Sequence, residues 1–228
     1  MTQQTATAGT AATRAGRAGP AATGSLLGYG VIAGPTYVLV SLTEAALRDG
    51  FDPTRHPWSL LANGAWGWIH MANLMLFGVL VLAFAAGLRR ALRTGRGAIW
   101  APRLFAGYGV GLVLAGIFRA DPGAGFPPGT PEVTPVSWHG MLHFVAGGVG
   151  FLAMVVGCLL LARRFAAERR TGWAVFTAVT AVFFLVAFVG IGAGAGSGPT
   201  ILAFTAAVLL SSAWLSAVAV HIRRTEVR

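Results

Sequence analysis

Six long apolar segments constrain the fold of this 228-residue chain more than any other feature. A helix needs about 20 apolar residues to cross the hydrocarbon core of a bilayer, and each segment is close to that length. The sequence therefore predicts an all-α polytopic membrane protein, with six transmembrane helices in one bundle over residues 25–222. The segments cover approximately residues 26–47, 64–88, 101–118, 138–162, 172–194 and 201–222.

The composition favours the same class of protein. Hydrophobic residues make up 55% of the chain and charged residues only 11%, whereas a soluble domain usually carries about 25% charged residues. All the basic residues are arginine, which is typical of the Ala/Gly/Arg-rich coding bias of high-GC bacteria. The single cysteine, Cys158, lies inside an apolar segment, so an intrachain disulfide is excluded.

The placement of the arginines predicts the orientation of the bundle. With the amino terminus inside, the inner segments hold 14 Arg and 2 acids, and the outer segments hold 3 Arg and 5 acids. This asymmetry predicts that both termini are cytoplasmic in a multi-pass protein of the plasma membrane. It also explains the net charge of +10 without a nucleic-acid partner. Residues 1–24 are predicted to form a disordered cytoplasmic tail and residues 223–228 a short cytoplasmic tail.

Residues 119–143 join the third and fourth segments and hold the densest group of ionisable side chains. Five prolines and three glycines exclude a continuous helix through the connection. Asp121, His139 and His143 follow within 23 residues. The two histidines are four positions apart, so a helix places both on one face. Ionisable groups at the mouth of a membrane bundle are costly to place, which makes these residues candidates for function.

Further polar side chains are predicted at the same outer end of the bundle. His70 lies about two turns into the second helix, at a depth comparable to that of His143. Asn73 lies on the same helix face as His70 and is expected to face protein, because an unsatisfied amide is costly in lipid. The tryptophans at positions 58, 66, 68 and 138 are typical of an aromatic belt at the interface. The candidate ligand-binding residues are Asp121, His139, His143, His70, Ser59, Asn73 and Glu44.

A short sequence echo links the first two helical hairpins. Asp52 begins an Asp-Pro pair that precedes a Gly-x-x-His unit ending at His70, and Asp121 begins the same arrangement ending at His143. A duplicated hairpin would place equivalent groups at equivalent depth in the membrane. Chance is the competing explanation, because the strings are short and the chain is rich in glycine. Two small-xxx-small pairs, at 107/111 and 190/194, favour close packing within the bundle over a dimer face.

Several of these residues also carry a family resemblance. They are His56-Pro57-x-Ser59-Leu60 with Asn73 and Gly78, then Gly109-x-Gly111, Gly116-Ile117-Phe118-x-x-Asp121-Pro122 and His139-Gly140-x-x-His143. Together they resemble the domain-of-unknown-function 998 family of small prokaryotic six-helix membrane proteins. The resemblance covers roughly residues 26–222 and implies a single membrane domain with characteristic polar positions at Ser59, Asp121 and His143. It implies no reaction.

Three interpretations of the polar cluster remain open, and the leading functional one is a pocket that binds or helps move a small molecule, lipid headgroup or proton. The second is a zinc site that activates water for hydrolysis of a lipid or amide. Its ligands would be His139, His143, His70 and Asp121. Zinc hydrolases usually place a glutamate between two histidines on a helix, and no glutamate lies between His139 and His143. The third is a purely structural set of helix caps and hydrogen bonds. The only partner that the composition implies is the lipid bilayer, and the oligomeric state stays open.

Overall fold

The computed structural model describes residues 5–193 and 197–227, and this part of the chain is helical throughout, apart from its connections. Six helices are long and apolar enough to cross a membrane, which confirms the predicted class of protein. A short 3₁₀ helix, Trp58–Ala62, lies between the first two of them. The six helices are α1 Thr5–Leu47, α2 Gly67–Ala91, α3 Trp100–Ile117, α4 Trp138–Ala167, α5 Thr171–Ala193 and α6 Gly198–Glu226.

Helix α1 begins earlier than the sequence predicts. A disordered tail is expected over residues 1–24, whereas the helix already begins at Thr5, and residues 1–4 lie outside the described part of the chain. The early turns are rich in alanine, which has the strongest intrinsic helix preference. They also extend an existing helix, so they need no separate nucleation. The portion of α1 with the length and composition of a membrane span is Gly19–Leu47.

Helices α4 and α6 extend beyond their predicted ends. Helix α4 continues to Ala167 and α6 to Glu226, and each extension carries a pair of arginines. Cations near the carboxyl end of a helix interact favourably with its dipole, which explains the continuation. The predicted tail over residues 223–228 therefore begins inside α6. Its last residue and position 194, the predicted end of the fifth segment, lie outside the described residues.

The six helices form a closed ring in chain order. Each helix packs against the next one along the chain, and α6 returns to pack against α1. Successive helices are joined by connections and lie side by side, so neighbours run antiparallel. Phe84, Phe105 and Trp214 fill the interior of the ring with stacked and edge-on aromatic contacts, and all three are almost fully buried. We call these three residues the aromatic plug.

Glycines allow the closest approaches between neighbouring helices. A Cβ on Gly78 of α2 would lie 2.6 Å from the carbonyl oxygen of Gly109 of α3. A Cβ on Gly111 would lie 2.8 Å from the Cα of Gly150 on α4. Real side chains do not fit at such distances, so α3 contacts both neighbours through its backbone. Gly107 also faces α4, so the predicted pair at 107/111 serves packing within the bundle.

The two ends of the ring differ in structure. One end, which we call the loop end, carries the long α1–α2 and α3–α4 connections, and the opposite end carries most of the arginines. The two long connections pack against each other through an edge-on contact between Phe51 and Phe126. His56 Nε2 lies 2.9 Å from the carbonyl oxygen of Ala124, and Arg55 forms a 2.7 Å salt bridge with Glu132. The connections therefore cover the loop end of the ring together.

Candidate functional site

A cavity of about 190 Å³ lies inside the ring at the loop end. All six helices and the 3₁₀ helix contribute to its wall, which is mostly apolar and aromatic. Its size is comparable to the cavity of about 150 Å³ that holds benzene in another protein. A mostly apolar cavity with a few convergent polar groups is typical of small-molecule sites. The polar side chains in its wall are Tyr37, Ser59, His70, Asp121, His143 and Thr205.

Gly147 of α4 keeps part of this space open. The residue is buried and lines the cavity, yet a Cβ added to it would meet no atom within 4 Å. Its neighbour Gly148 also lines the cavity, where an added Cβ would make an ordinary 3.6 Å contact with the ring of Phe188. A Cβ at position 147 would therefore enter open space, and the rest of a larger side chain would take up cavity volume.

His70 is held by a buried carboxylate. Its Nδ1 lies 3.0 Å from Glu44 Oε2, and the side chains of His70 and Glu44 are only 1% and 7% exposed. The second carboxylate oxygen, Oε1, lies 3.9 Å from Nη1 of Arg48. Because a carboxylate accepts hydrogen bonds, Nδ1 carries a proton, and in the neutral imidazole Nε2 is then the acceptor. Nε2 is buried and has no hydrogen-bond partner in the described part of the protein.

Arg48 connects this pair to the 3₁₀ helix. Its guanidinium donates a 3.1 Å hydrogen bond to the carbonyl oxygen of Leu61 and another hydrogen bond to that of Asn63. The same group lies 5.4 Å from the centroid of the Phe126 ring. Arg48 thus links α1 to both long connections, and its charge lies close to Glu44. The charge of Arg48 therefore offsets part of the negative charge of Glu44, although Oε1 forms no hydrogen bond in the described part of the protein.

His143 is held by backbone carbonyls instead. Its Nδ1 lies 2.8 Å from the oxygen of Ala115 and 2.9 Å from that of Phe118, at the carboxyl end of α3. Carbonyl oxygens only accept, so Nδ1 must donate, and in the neutral imidazole Nε2 is then the acceptor. Carbonyls in the last turn of a helix lack intrahelical partners, and His143 supplies one. No hydrogen bond to Nε2 is found within the described residues.

His70 and His143 occupy related positions. Each lies early in a helix, binds through Nδ1 to the end of the preceding helix, and lines the same cavity. This is the arrangement that a duplicated hairpin predicts. The partners differ, since one histidine binds a carboxylate and the other binds carbonyls. The duplication therefore stays a prediction that the geometry fits.

Asp121 fixes the start of α4. Its two carboxylate oxygens accept hydrogen bonds from the backbone nitrogen of Ser137, at 2.7 Å, and from the Ser137 hydroxyl. The Ser137 hydroxyl in turn accepts from the backbone nitrogen of Gly140 at 3.1 Å, which makes Ser137 the N-cap of α4. A Cβ at Gly140 would collide with the Asp121 carboxylate. Asp121 therefore borders the cavity but uses both oxygens to position α4 and, with it, His143.

Two more predicted residues have identifiable surroundings. Ser59 lines the cavity from the 3₁₀ helix. Asn73 is buried and donates hydrogen bonds of 3.1 and 3.2 Å to the carbonyl oxygen of Tyr37 and the hydroxyl of Ser41. The amide faces protein, as the sequence suggests, and it ties α2 to α1. Asn73 does not line the cavity.

His139 lies apart from the other predicted residues. The histidine is exposed, stacks on Trp138 with ring centroids 3.5 Å apart, and does not line the cavity. Four residues turn an α-helix by about 400°, so positions 139 and 143 differ by about 40° in direction. The inward face of α4 passes through Gly140, His143 and Gly147, and this offset leaves His139 outside it. The expectation that both histidines serve one site does not match the structure.

The predicted zinc set is not assembled. The described residues contain no group of three or more His, Cys, Asp or Glu side chains arranged to hold a metal ion. His139 does not line the cavity, and both carboxylate oxygens of Asp121 accept hydrogen bonds from Ser137. His143 directs Nδ1 to carbonyls and His70 directs Nδ1 to Glu44. The helix positions were close enough to suggest ligation, but each side chain already has another partner.

The connections above the cavity contain their own hydrogen-bond network. Hydrogen bonds from the hydroxyl and backbone of Thr54 hold the pKa of Asp52 below its usual value. A hydrogen bond to Glu132 raises the pKa of the Arg55 guanidinium further above its usual range. His56 Nδ1 accepts from the backbone nitrogen of Asp52 at 2.8 Å. These contacts hold the two connections together over the loop end without adding a free group to the cavity.

Sequence reasoning missed much of the cavity wall. Phe151, Phe188 and Phe204 contact one another on α4, α5 and α6 and line the space. Apolar residues in membrane helices carry no signal that separates a cavity wall from a lipid-facing surface. The sequence predicts an interfacial position for Trp58, yet this residue is only 6% exposed. The other three predicted belt residues, Trp66, Trp68 and Trp138, are more than 60% exposed.

A ring of six membrane-length helices around an interior cavity defines a polytopic α-helical membrane protein with a candidate binding site. The family described as "Protein of unknown function (DUF998)" matches residues 31–221, which include the carboxyl-terminal part of α1, all of α2 to α5 and most of α6. The chain belongs to this family, and the resemblance noted from its motifs is confirmed. A search of the curated proteins and a search of the solved structures each found no match.

Proposed function

We propose that this membrane protein binds a small molecule in the loop-end cavity, and that the molecule has an apolar body and one or more hydrogen-bond donors. The observation that carries the proposal is the pair of buried imidazoles, His70 and His143, in the wall of one apolar cavity. Each ring is oriented through Nδ1, and a neutral ring held in this way presents Nε2 as an acceptor. A ligand complementary to two acceptors must supply O–H or N–H groups.

The energetics favour such a ligand. A buried acceptor without a partner costs about 1–3 kcal/mol, and a donor on the ligand removes that cost for His70 Nε2. The aromatic wall adds about 25 cal/mol for each Å² of apolar ligand surface removed from water. The polar groups would therefore determine which ligand binds, and the apolar wall would supply most of the affinity. Metal-assisted hydrolysis is not proposed, because no contact in the described structure favours it.

A matched pair of small probes tests the proposal. Phenol and toluene have nearly the same shape, but only phenol has a donor. With the purified protein in detergent, we expect phenol to raise the melting temperature more than toluene does. The Gly147→Leu variant should lose the phenol effect, because its side chain fills the cavity. Gly172→Leu is the control, since Gly172 also has open space around it but does not line the cavity.

Two outcomes would contradict the proposal. If toluene stabilises the protein as much as phenol does, the imidazoles do not select for donors. If the phenol effect survives in Gly147→Leu as it does in Gly172→Leu, the binding lies outside the cavity.

We infer further that the loop end faces the outside of the cell and that both termini are cytoplasmic. The support for this is the segregation of 14 arginines to one side of the predicted topology. The cavity would then receive its ligand from the outer side or from the outer leaflet of the plasma membrane. The aromatic plug lies between the cavity and the arginine-rich end, so binding, and not passage across the membrane, is what the geometry supports best. Access of reagents from the two sides of the membrane tests this orientation.

A further inference from the structure

A second concavity lies at the arginine-rich end, where α1, α2, α4 and α6 meet. Its volume is about 870 Å³, and its wall shares no residue with the cavity at the loop end. Four arginines line it: Arg89 and Arg90 at the end of α2, Arg93 just beyond it, and Arg164 of α4. We call this concavity the arginine basin.

The charge of the arginine basin is only partly balanced by nearby side chains. The chain has seven acidic residues, all within the described part of the protein, and only Glu226 lines the basin. Arg89, Arg90 and Arg93 are exposed and form none of the salt bridges found in the described residues. Arg164, the fourth arginine of the wall, is paired with Glu168. The other three arginines and Glu226 therefore leave a net excess of two positive charges.

The fourth arginine is held in place. Arg164 Nε lies 2.8 Å from Glu168, and its Nη1 donates a 2.7 Å hydrogen bond to the carbonyl oxygen of Thr94. Thr94 precedes Gly95, whose φ of +87° lets the connection turn beneath the guanidinium. Arg164 thus ties the α2–α3 connection to α4 and shapes one wall of the basin. The opposite wall includes Gly19, where an added Cβ would meet no atom within 4 Å.

We propose that the arginine basin binds a phosphate group. Guanidinium groups bind phosphate through paired, charge-assisted hydrogen bonds. Arg89, Arg90 and Arg93 form no salt bridge with any carboxylate of the described residues. The group could belong to the headgroup of an anionic phospholipid or to a soluble phosphate, and both present the same oxygens to the basin. Basic pockets between membrane helices are known to hold anionic headgroups. This site is independent of the cavity and of the ligand proposed for it.

General attraction of anions to a basic surface is the competing explanation, and a matched pair of variants separates the two. The basin variant combines Arg89→Gln, Arg90→Gln and Arg93→Gln. The control variant combines Arg96→Gln, Arg163→Gln and Arg224→Gln, which removes the same charge from exposed positions that do not line the basin. All six side chains are exposed, so both variants should fold, and melting temperatures check this.

The full-length protein in neutral detergent is titrated in two arms. One arm measures binding of inorganic phosphate and pyrophosphate by calorimetry, and the other counts bound phosphatidylglycerol against phosphatidylcholine by native mass spectrometry. We expect wild type and control to bind at least one of the phosphate probes, and the basin variant to bind it about tenfold or more weakly, as expected for the loss of one charge-assisted contact or more.

The arm that responds identifies the source of the phosphate. Loss confined to phosphatidylglycerol assigns a lipid headgroup, and loss of the inorganic probes assigns a soluble anion. Equal weakening in the basin and control variants would overturn the proposal in favour of general charge attraction. Failure of the wild-type protein to prefer phosphatidylglycerol or to bind either inorganic probe would overturn it as well.

Discussion

At the scale of single residues, substitutions can test directly whether the buried Glu44 and His70 side chains depend on each other. The carboxylate orients the imidazole from α1, and both side chains are buried. Replacing His70 alone leaves Glu44 Oε2 as a buried acceptor without its donor. We therefore expect the two residues to be coupled: removing one partner should destabilise the protein more than replacing both.

We expect His70→Phe to lower the free energy of unfolding by about 1–3 kcal/mol, because Glu44 loses its donor. Adding Glu44→Gln should recover part of that loss, since a neutral amide is less costly to bury than an unpaired carboxylate. Denaturant unfolding of the single and double variants measures the coupling. His139→Phe is the control, because that histidine is exposed and should change stability little. Additive effects in the double variant would contradict the pairing.

Residue types were predictable from the sequence where burying them in a membrane is costly. His70, His143, Asp121 and Ser59 were singled out as polar groups at one end of the bundle, and all four line the cavity. The sequence does not determine which of these side chains face the interior of the bundle. Whether His139 follows His143 into the interior depends on the rotation of α4, which is set by packing and not by spacing alone.

At the scale of elements, the start of α4 depends on the connection that precedes it. Asp121 accepts two hydrogen bonds from Ser137, and Ser137 caps the helix through Gly140. An asparagine at position 121 offers only one oxygen in place of two. The first turn of α4 also carries a partial positive charge, which favours a carboxylate over a neutral amide.

We therefore expect Asp121→Asn to lower the free energy of unfolding by about 1–2 kcal/mol, comparable to the loss of an N-cap. Amide hydrogen exchange should rise in the first turn of α4, near Gly140, and remain unchanged in α5. Asp49→Asn is the control, since Asp49 is exposed and forms no side-chain hydrogen bond in the described structure. Unchanged exchange at the start of α4 would show that Asp121 does not hold this helix in place.

The six helices were predictable because each apolar run matches the thickness of a bilayer. The ends of the helices were harder to predict, because α1, α4 and α6 continue beyond the apolar segments into alanine- or arginine-rich turns. The 3₁₀ helix Trp58–Ala62 was not anticipated, because five residues are too few for a periodic pattern. It buries Trp58 beside the cavity, whereas the sequence predicts a position at the membrane interface.

At the scale of the whole molecule, ring closure creates both candidate sites. Helix α6 reaches α1 at a close approach where a Cβ on Gly34 would lie 2.5 Å from the carbonyl oxygen of Ser212. No sequence pattern predicts this contact between α1 and α6, so the sequence alone predicts a helical bundle but not a closed ring. Because the ring is closed, its interior has two ends. The aromatic plug separates an apolar cavity at one of them from a basic basin at the other.

The orientation of this ring decides which compartment each site serves, and labelling of single cysteines tests it. The native Cys158 is 1% exposed, so it should react little and allow new cysteines to be followed in the natural background. Val133 at the loop end is 86% exposed, and Arg96 is exposed at the opposite end. We expect Val133→Cys to react with a membrane-impermeant maleimide in intact cells, and Arg96→Cys to react only after lysis, because arginine-rich segments stay on the cytoplasmic side. The reverse pattern would place the cavity on the cytoplasmic side and the arginine basin outside.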